Sequence, residues 1–349
     1  MEGRRVRPLN FLRFLFLSFV VLLVGCRESV EKNILEAEEV AASEVVSSEV
    51  DALTQIDNAS EEIELLDWCY ENEVYIEEEE ICALIINCID YDSCVAWGNA
   101  VIAELEETFG SLVLEESVAT GDEGITVLTT YDVDNKDEAI YTNANISKEE
   151  MDYHANLWFS FSWLIPEKYR DDINRFEVFE SGDTLAYVSL HDKYGKYWTL
   201  GMNNKNIELA SETLVTYLHE YAHFLSLNQI QIDYWEDEKG CKSLYLQDSG
   251  CFYKDAYLND FYKRFWESGG NGELEDFYVS KYAMTSPEED FAESFAHFVL
   301  TQTPNGDTVK EQKLLFFYQF EELVKLRTEI LSRASTWIVR SVEENKKQK

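Results

Sequence analysis

The chain has little positive charge. Its 349 residues include 29 Lys and Arg against 68 Asp and Glu, which gives a formal net charge of −39. A surface this acidic repels phosphate backbones and anionic lipid headgroups. The charge balance therefore excludes a nucleic-acid partner. Basic or neutral substrates are less disfavoured by it than anionic ones. Acidity on this scale also keeps a protein soluble without any role in substrate recognition.

A hydrophobic run long enough to span a membrane is lacking near the N-terminus. The apolar run 14–24 follows four arginines and is shorter than a membrane-spanning helix requires. It ends in Leu-Val-Gly-Cys, which resembles the lipobox of bacterial lipoproteins. The resemblance implies a signal peptide over residues 1–25, lipid on Cys26 and an extracytoplasmic place at an outer membrane or cell surface. The alternative is a signal anchor with an incidental cysteine.

Residues 27–66 contain no aromatic residue, Gly, Pro or Cys. They are rich in Glu, Ser, Ala and Val, and the like charges favour an extended or weakly helical chain. Ile34, Val40 and Val45 do not keep a helical period, which argues against an amphipathic helix packed on the body. We therefore interpret residues 26–66 as a disordered tether that begins at the lipidated cysteine.

The sequence also lacks a C-x-x-C pair. Of its seven cysteines, six remain after Cys26, and an even number outside the cell predicts disulfides. Cys241 and Cys251 bracket a short loop and are predicted to pair. Two further bridges, with three possible connectivities, are predicted among Cys69, Cys82, Cys88 and Cys94. A four-cysteine zinc site is the alternative, which the spacing disfavours. We expect a small Cys-rich helical subdomain over residues 67–120.

The middle of the chain predicts a sheet and a helix that covers it. A capping box at residues 147–150 starts a helix that runs to about residue 163, with His154 on its buried face as a structural histidine. Residues 132–137 are predicted to be a solvated turn rather than a calcium loop, because Lys136 occupies a ligand position. The predicted strands are residues 124–131, 175–179, 184–191 and 197–202, the last three forming an antiparallel meander.

Residues 211–228 predict a helix with Ser211 at its N-cap and the sequence His219-Glu220-Tyr221-Ala222-His223 inside it. Two histidines four residues apart project from one helix face and can bind one Zn²⁺. Glu220 lies one step around the helix, where its carboxylate can take a proton from a water on the metal. The alternative is a pair of helical histidines that bind no metal.

A second helix supplies a candidate third ligand. Ser286 and Pro287 predict the helix start, and Glu289 and Glu293 lie four residues apart on one face. Glu289 could ligate zinc, while Glu293 could accept a hydrogen bond from a ligand histidine. The alternative is an ordinary acidic first turn.

Together, H-E-x-x-H and the following E-x-x-x-E are similar to the gluzincin metallopeptidases, and among them to the catalytic domain of anthrax lethal factor and its relatives. Tyr282, seven residues before Glu289, and the sequence 291–293, Phe-Ala-Glu, match that pattern. The resemblance implies His219, His223 and Glu289 as ligands of one zinc, Glu220 as the base, Tyr282 as a donor to the oxyanion and Glu293 as the residue that orients a ligand.

Two features around this pattern are less defined. His297 follows Glu293 by four residues, and it is either an outer partner of the site, an oxyanion donor or a packed helix-face histidine. The interval between His223 and Glu289 is longer than in those relatives, because the Cys241–Cys251 loop is inserted. The insertion affects the expected shape of the substrate cleft, not the ligand set.

The sequence thus predicts an α+β fold. Residues 121–349 are expected to form a zincin-like domain with a small antiparallel or mixed sheet, the H-E-x-x-H helix and a helical C-terminal lobe that ends in helices 308–325 and 326–342. We expect a monomeric, lipid-anchored zinc metalloendopeptidase, with strand 197–202 as an edge that pairs with an extended peptide. One alternative is an inactive zincin-fold lipoprotein that acts as a binding module, which the retained Glu220 disfavours. Another is a peptidase that cleaves only its own N-terminal region.

Overall fold

The structure, a computed structural model, describes residues 4–6, 69–113, 124–135, 139–191, 196–205, 210–267 and 274–347. Cys26, the predicted tether and most of the predicted signal peptide lie outside these residues. The chain divides into two compact units, Leu9–Cys82 and Met1–Pro8 with Ala83–Lys349. Among the helices of the described part, none combines the length and apolar character needed to cross a membrane.

The described elements are short strands and helices up to Phe252, and helices from Tyr257 onward. The strands are β1 (Arg4–Val6), β2 (Glu73–Ile76), β3 (Ile81–Leu84), β4 (Thr126–Asp134), β5 (Ala139–Thr142), β6 (Ile173–Glu180), β7 (Ala186–Leu190), β8 (Trp198–Asn203), β9 (Ile232–Asp233), β10 (Tyr245–Leu246) and β11 (Gly250–Phe252). The helices are α1 (Tyr91–Phe109), α2 (Lys148–Leu164), α3 (Ala210–Leu227), α4 (Tyr257–Phe265), α5 (Leu274–Phe277), α6 (Pro287–Leu300), α7 (Val309–Phe317) and α8 (Glu321–Lys347). The mixed α+β class agrees with the expectation from sequence.

The described residues contain three disulfides, and each joins two cysteines that follow one another in the sequence. They are Cys69–Cys82, Cys88–Cys94 and Cys241–Cys251. The four N-terminal cysteines thus take the sequential connectivity among the three possible ones. The last bridge closes the loop before β11, the central strand of a three-stranded sheet in which it pairs with β9 and β10.

The Cys-rich region differs from the small helical subdomain that was expected. Its first part is the two-stranded sheet β2–β3, and its helix α1 packs against α8 inside the larger unit. Val101, Ile102 and Leu105 of α1 are buried in the main hydrophobic core. A helix with such a buried face belongs with the core it covers, and the boundary between the two compact units falls after Cys82.

The main sheet has the strand order β1-β5-β4-β6-β8-β7. The predicted antiparallel meander of the last three strands is wrong, because β8 lies between β6 and β7, parallel to β6 and antiparallel to β7. All six residues of β8 are buried, as expected of a strand covered on both sides. The sheet edge beside the following helix is therefore β7, and the prediction that strand 197–202 forms an edge is also wrong.

The other side of the sheet extends further than predicted. Strand β4 continues through Asp132 and Asp134, where a solvated turn was expected, and pairs there with β5, which was not predicted. Asn135 is buried, and its side-chain amide donates 3.0 Å to the carbonyl of Ile173. This bond holds the end of β4 against the start of β6.

Helices α2 and α3 both contribute buried side chains to the hydrophobic core. Helix α2 starts with the predicted capping box, in which Ser147 accepts from Glu150 N and Glu150 accepts from Ser147 N. His154 is buried, and its Nδ1 lies 2.7 Å from the Tyr131 hydroxyl, as expected of a structural histidine. Helix α3 begins at Ala210, so Ser211 lies in the first turn and is not the predicted N-cap.

The C-terminal lobe is built from α6, α7 and α8. The break between the last two helices falls at Tyr318–Phe320, and not at residues 325–326 as predicted. Arg327 of α8 is fully buried and donates 2.8 Å to Phe298 O and 2.9 Å to Thr301 O. The guanidinium thereby satisfies carbonyls at the C-terminal end of α6, which helices otherwise leave unpaired.

Candidate metal centre

Helices α3 and α6 pack against each other, and their contact brings three metal-ligating side chains together. His219 and His223 come from one face of α3, and Glu289 comes from the first turn of α6. The N-cap of α6 is Ser286, which accepts from Glu289 N, and Pro287 follows as the first helical residue. A capped first turn places the Glu289 side chain at a fixed end of the helix, facing α3.

The three donor atoms converge on one point. His219 Nε2 lies 3.0 Å from His223 Nε2 and 3.1 Å from Glu289 Oε2, and His223 Nε2 lies 3.2 Å from Glu289 Oε2. Ligands about 2.0–2.1 Å from a tetrahedral zinc lie about 3.3 Å from one another. The observed separations are close to that value, so the donor set fits one zinc ion.

The chemistry of Glu289 points the same way. Its Oε2 is buried and accepts no hydrogen bond of good geometry in the described part of the chain, although it faces two imidazole nitrogens. A buried carboxylate oxygen without a donor is costly unless a cation is near. Burial would raise the pKa of Glu289, but the two imidazoles act more strongly and lower it. The carboxylate is thus kept in the ionised form that a metal requires.

The outer side of His219 is held by α6. His219 Nδ1 lies 2.7 Å from Glu293 Oε1, and both side chains are almost fully buried. Donation from Nδ1–H to the carboxylate leaves the Nε2 lone pair directed toward His223 and Glu289. Burial lowers the pKa of His219, but the nearby carboxylates of Glu289 and Glu293 outweigh burial and raise it to about 10. Protons and a metal would therefore compete for this group.

Glu220 lies between the histidines and the sheet edge. It is 8% exposed, and burial raises its pKa, which is the direction a general base near neutral pH requires. The two histidines, and to a smaller extent the backbone N–H of Val188 on β7, limit this rise. The role of Val188 could not be predicted, because the strand order decides which backbone groups face α3.

Tyr282 lies beside the same histidine. It is the first residue of a short 3₁₀ helix, Tyr282–Met284, that packs on α6. Its ring centroid lies 5.6 Å from that of His219, with the ring planes tilted by 31°. The structure therefore brings Tyr282 next to the proposed ligands.

His297 is not part of the three-residue cluster, although it lies on the same helix. Burial lowers its pKa to about 4, while Glu293 pulls in the opposite direction and Lys310 adds to the lowering. Among the described residues, the group that could hold a metal at this place is His219, His223 and Glu289, whose donor atoms all lie within 4.8 Å of one another.

Two imidazoles, a carboxylate and an adjacent buried glutamate on a short helix pair define a zinc-metallopeptidase type of site. Residues 202–343 match the model of a family described as "Putative zinc-binding metallo-peptidase". The matched range covers less than half of the chain, but it runs from β8 to α8 and includes every residue of the cluster. It supports a zinc-dependent peptidase. No curated protein and no solved structure matches the chain, so the likeness to the lethal factor catalytic domain stays a prediction.

Proposed function

We propose that this chain hydrolyses internal peptide bonds as a zinc-dependent endopeptidase. The observation that supports it most is the convergence of three donor atoms beside a buried glutamate, on a helix that packs against the β7 edge. A zinc site that only stabilised the fold would need no such carboxylate next to it. His219, His223 and Glu289 are the proposed ligands, and Glu293 holds His219 in the tautomer that binds.

The chemistry divides among the residues as follows. His219, His223 and Glu289 would hold the zinc, which as a Lewis acid would polarise a carbonyl and acidify water. Glu220 accepts the proton that the attacking water loses and passes it to the leaving amine. Tyr282 is proposed to donate its hydroxyl to the negative charge that develops on the carbonyl oxygen.

The proposed substrate is an extended peptide that adds to β7. In an antiparallel pair, hydrogen-bonded positions alternate. Asn203 N donates to Leu185 O and His191 N donates to Tyr197 O, so with the register of β7 on β8 the odd-numbered residues bond β8. The backbone groups of Ala186, Val188 and Leu190 therefore face away from β8 and are available to a substrate strand.

We further propose, on the N-terminal sequence alone, that lipid at Cys26 and the tether 26–66 hold this peptidase at the outer side of a membrane. Unmodified Cys26 in protein extracted from membranes would contradict the anchor without bearing on the peptidase activity.

The replacement Glu220→Gln tests the proposed activity. The amide keeps the size of the side chain but cannot accept the proton, so we expect zinc content to stay near one per chain while kcat/KM falls about 10²–10⁴-fold. Metal analysis and profiling with a peptide library measure the two effects. Cleavage at the wild-type rate would rule out Glu220 as the base, and wild-type protein that binds zinc but cleaves nothing would favour a binding module.

A further inference from the structure

A fully buried ion pair lies directly behind the proposed zinc ligand Glu289. Lys313 Nζ on α7 lies 2.6 Å from Asp290 Oδ2 on α6, and the two side chains are 2% and 0% exposed. Asp290 is the residue after Glu289, so its side chain points away from the metal centre and into the lobe. The chain has more than twice as many acidic as basic residues, and one of its few basic residues is buried at this place.

The pair is tied to several other elements. Trp266 Nε1, just after α4, donates 2.7 Å to Asp290 Oδ2. Lys313 Nζ donates 2.7 Å to Phe277 O at the end of α5, and it lies 3.8 Å from the ring centroid of Tyr278. The first turn of α6 is thus bonded to α7 and to the segment that connects the two helices of the metal centre.

Stability alone is a poor explanation for this arrangement. Burying two charges costs about as much as their attraction returns, and apolar residues of similar size often stabilise a fold equally well. An ion pair with directed hydrogen bonds adds fixed geometry, because its donors and acceptors tolerate little displacement. In a helix each residue turns about 100° and rises about 1.5 Å, so holding Asp290 also holds Glu289.

We propose that Asp290 and Lys313 are positioning residues for Glu289. They fix the rotation and height of the first turn of α6, so that the Glu289 carboxylate lies within about 3 Å of both histidine nitrogens before a metal arrives. This inference rests on the proposed function, since it takes Glu289 as a zinc ligand. It also makes Trp266, Phe277 and Tyr278 part of the support of the metal centre.

The experiment compares zinc affinity with stability in two variants. Lys313→Met removes the charge and keeps the length of the side chain, but it leaves Asp290 buried and unpaired. The double variant Asp290→Asn/Lys313→Met removes both charges and keeps an oxygen that Trp266 can donate to. Zinc affinity is measured by competition with a chromophoric chelator, and the stability of the metal-free proteins is measured by thermal unfolding.

We expect the single variant to lose both stability and zinc affinity. The double variant is expected to regain most of the stability of the metal-free protein and still to bind zinc about tenfold more weakly than wild type, as for outer partners of metal ligands. Wild-type zinc affinity in the double variant would overturn the proposal. Failure of the double variant to fold would overturn it as well, because the pair would then serve stability.

Lys168→Met is the matched control. Lys168 forms an ion pair with Glu329 at 2.7 Å, but its side chain is 55% exposed, and neither partner touches the metal centre. This variant should bind zinc like wild type. If wild-type protein itself bound no zinc, the proposed function would fail; if it bound zinc and all variants matched it, only the positioning role would fail.

Discussion

One proton decides whether His219 can bind a metal. The 2.7 Å contact with Glu293 favours a proton on Nδ1, so that the neutral ring offers the Nε2 lone pair to a metal. The spacing of Glu289 and Glu293 predicted that one glutamate would be an outer partner of a histidine. The sequence could not say which histidine it would serve, because that depends on how α6 is rotated against α3.

The largely buried His297 gives a prediction about pH. Burial lowers its pKa to about 4, whereas an unfolded histidine titrates near 6.5. The folded state therefore keeps a neutral ring that the unfolded state protonates, so stability is intact above about pH 6.5 and is lost as the pH falls toward 4. We expect His297 to account for roughly 1–2 kcal/mol of lost stability between pH 7.5 and pH 5.

Urea unfolding of metal-free protein at these two pH values measures the effect. The variant His297→Gln should lose less stability on acidification than wild type, by the stated amount. Glu293 raises the pKa of the ring and Lys310 lowers it, but burial has the larger effect. His191→Gln, at an exposed position, is the control and should follow wild type. Equal pH dependence in all three proteins would show that His297 is not kept neutral by the fold.

At the scale of elements, the sheet edge is where sequence reasoning failed in an informative way. The turns between β6, β7 and β8 are local signals and favour pairing in chain order. The parallel pair β6–β8 is a long-range contact, and only the burial of every residue in β8 distinguishes a central strand from an edge. Helix α2, by contrast, carries its capping box and its buried stripe within its own sequence, and its prediction needed no distant partner.

The edge assignment of β7 predicts the effect of Val188→Pro. Proline removes an N–H that faces away from β8, a place where an edge strand tolerates it, so the β7–β8 ladder should remain. The variant loses the one N–H at this position that a substrate strand would bond. We expect kcat/KM to fall roughly 2–10-fold, since a lost hydrogen bond is worth about 0.5–1.5 kcal/mol.

Val188→Ala is the matched variant, because it shortens the side chain and keeps the N–H. It should retain most of the activity, and circular dichroism should show that both variants are folded. A folded proline variant as active as the alanine variant would mean that the β7 edge does not bind substrate.

At the scale of the whole larger unit, the metal centre joins elements that are distant in the chain. Its histidines and Glu289 are separated by a long segment that includes the Cys241–Cys251 loop, yet α3 and α6 share one hydrophobic core through Leu218 and Phe295. The motifs predicted the ligands, because spacing within a helix is local information. The buried basic residues that support these ligands, such as Arg327 at the end of α6 and Lys313 beside Asp290, could not be predicted. A single basic residue among polar neighbours gives no indication in the sequence that it is buried.

Because the metal would tie α3 to α6, its removal should lower the stability of the folded chain. A ligand that binds only the folded state stabilises it by about 2.7 kcal/mol at 100 times its Kd. For a unit of this size, each kcal/mol shifts the unfolding midpoint by roughly 2–4 °C, so a chelator should lower Tm by about 5–10 °C and added zinc should restore it. His223→Gln removes one ligand and keeps the helix, and in this variant chelator and zinc should both leave Tm unchanged. A chelator that did not lower the Tm of zinc-loaded wild-type protein would contradict a metal that bridges the two helices.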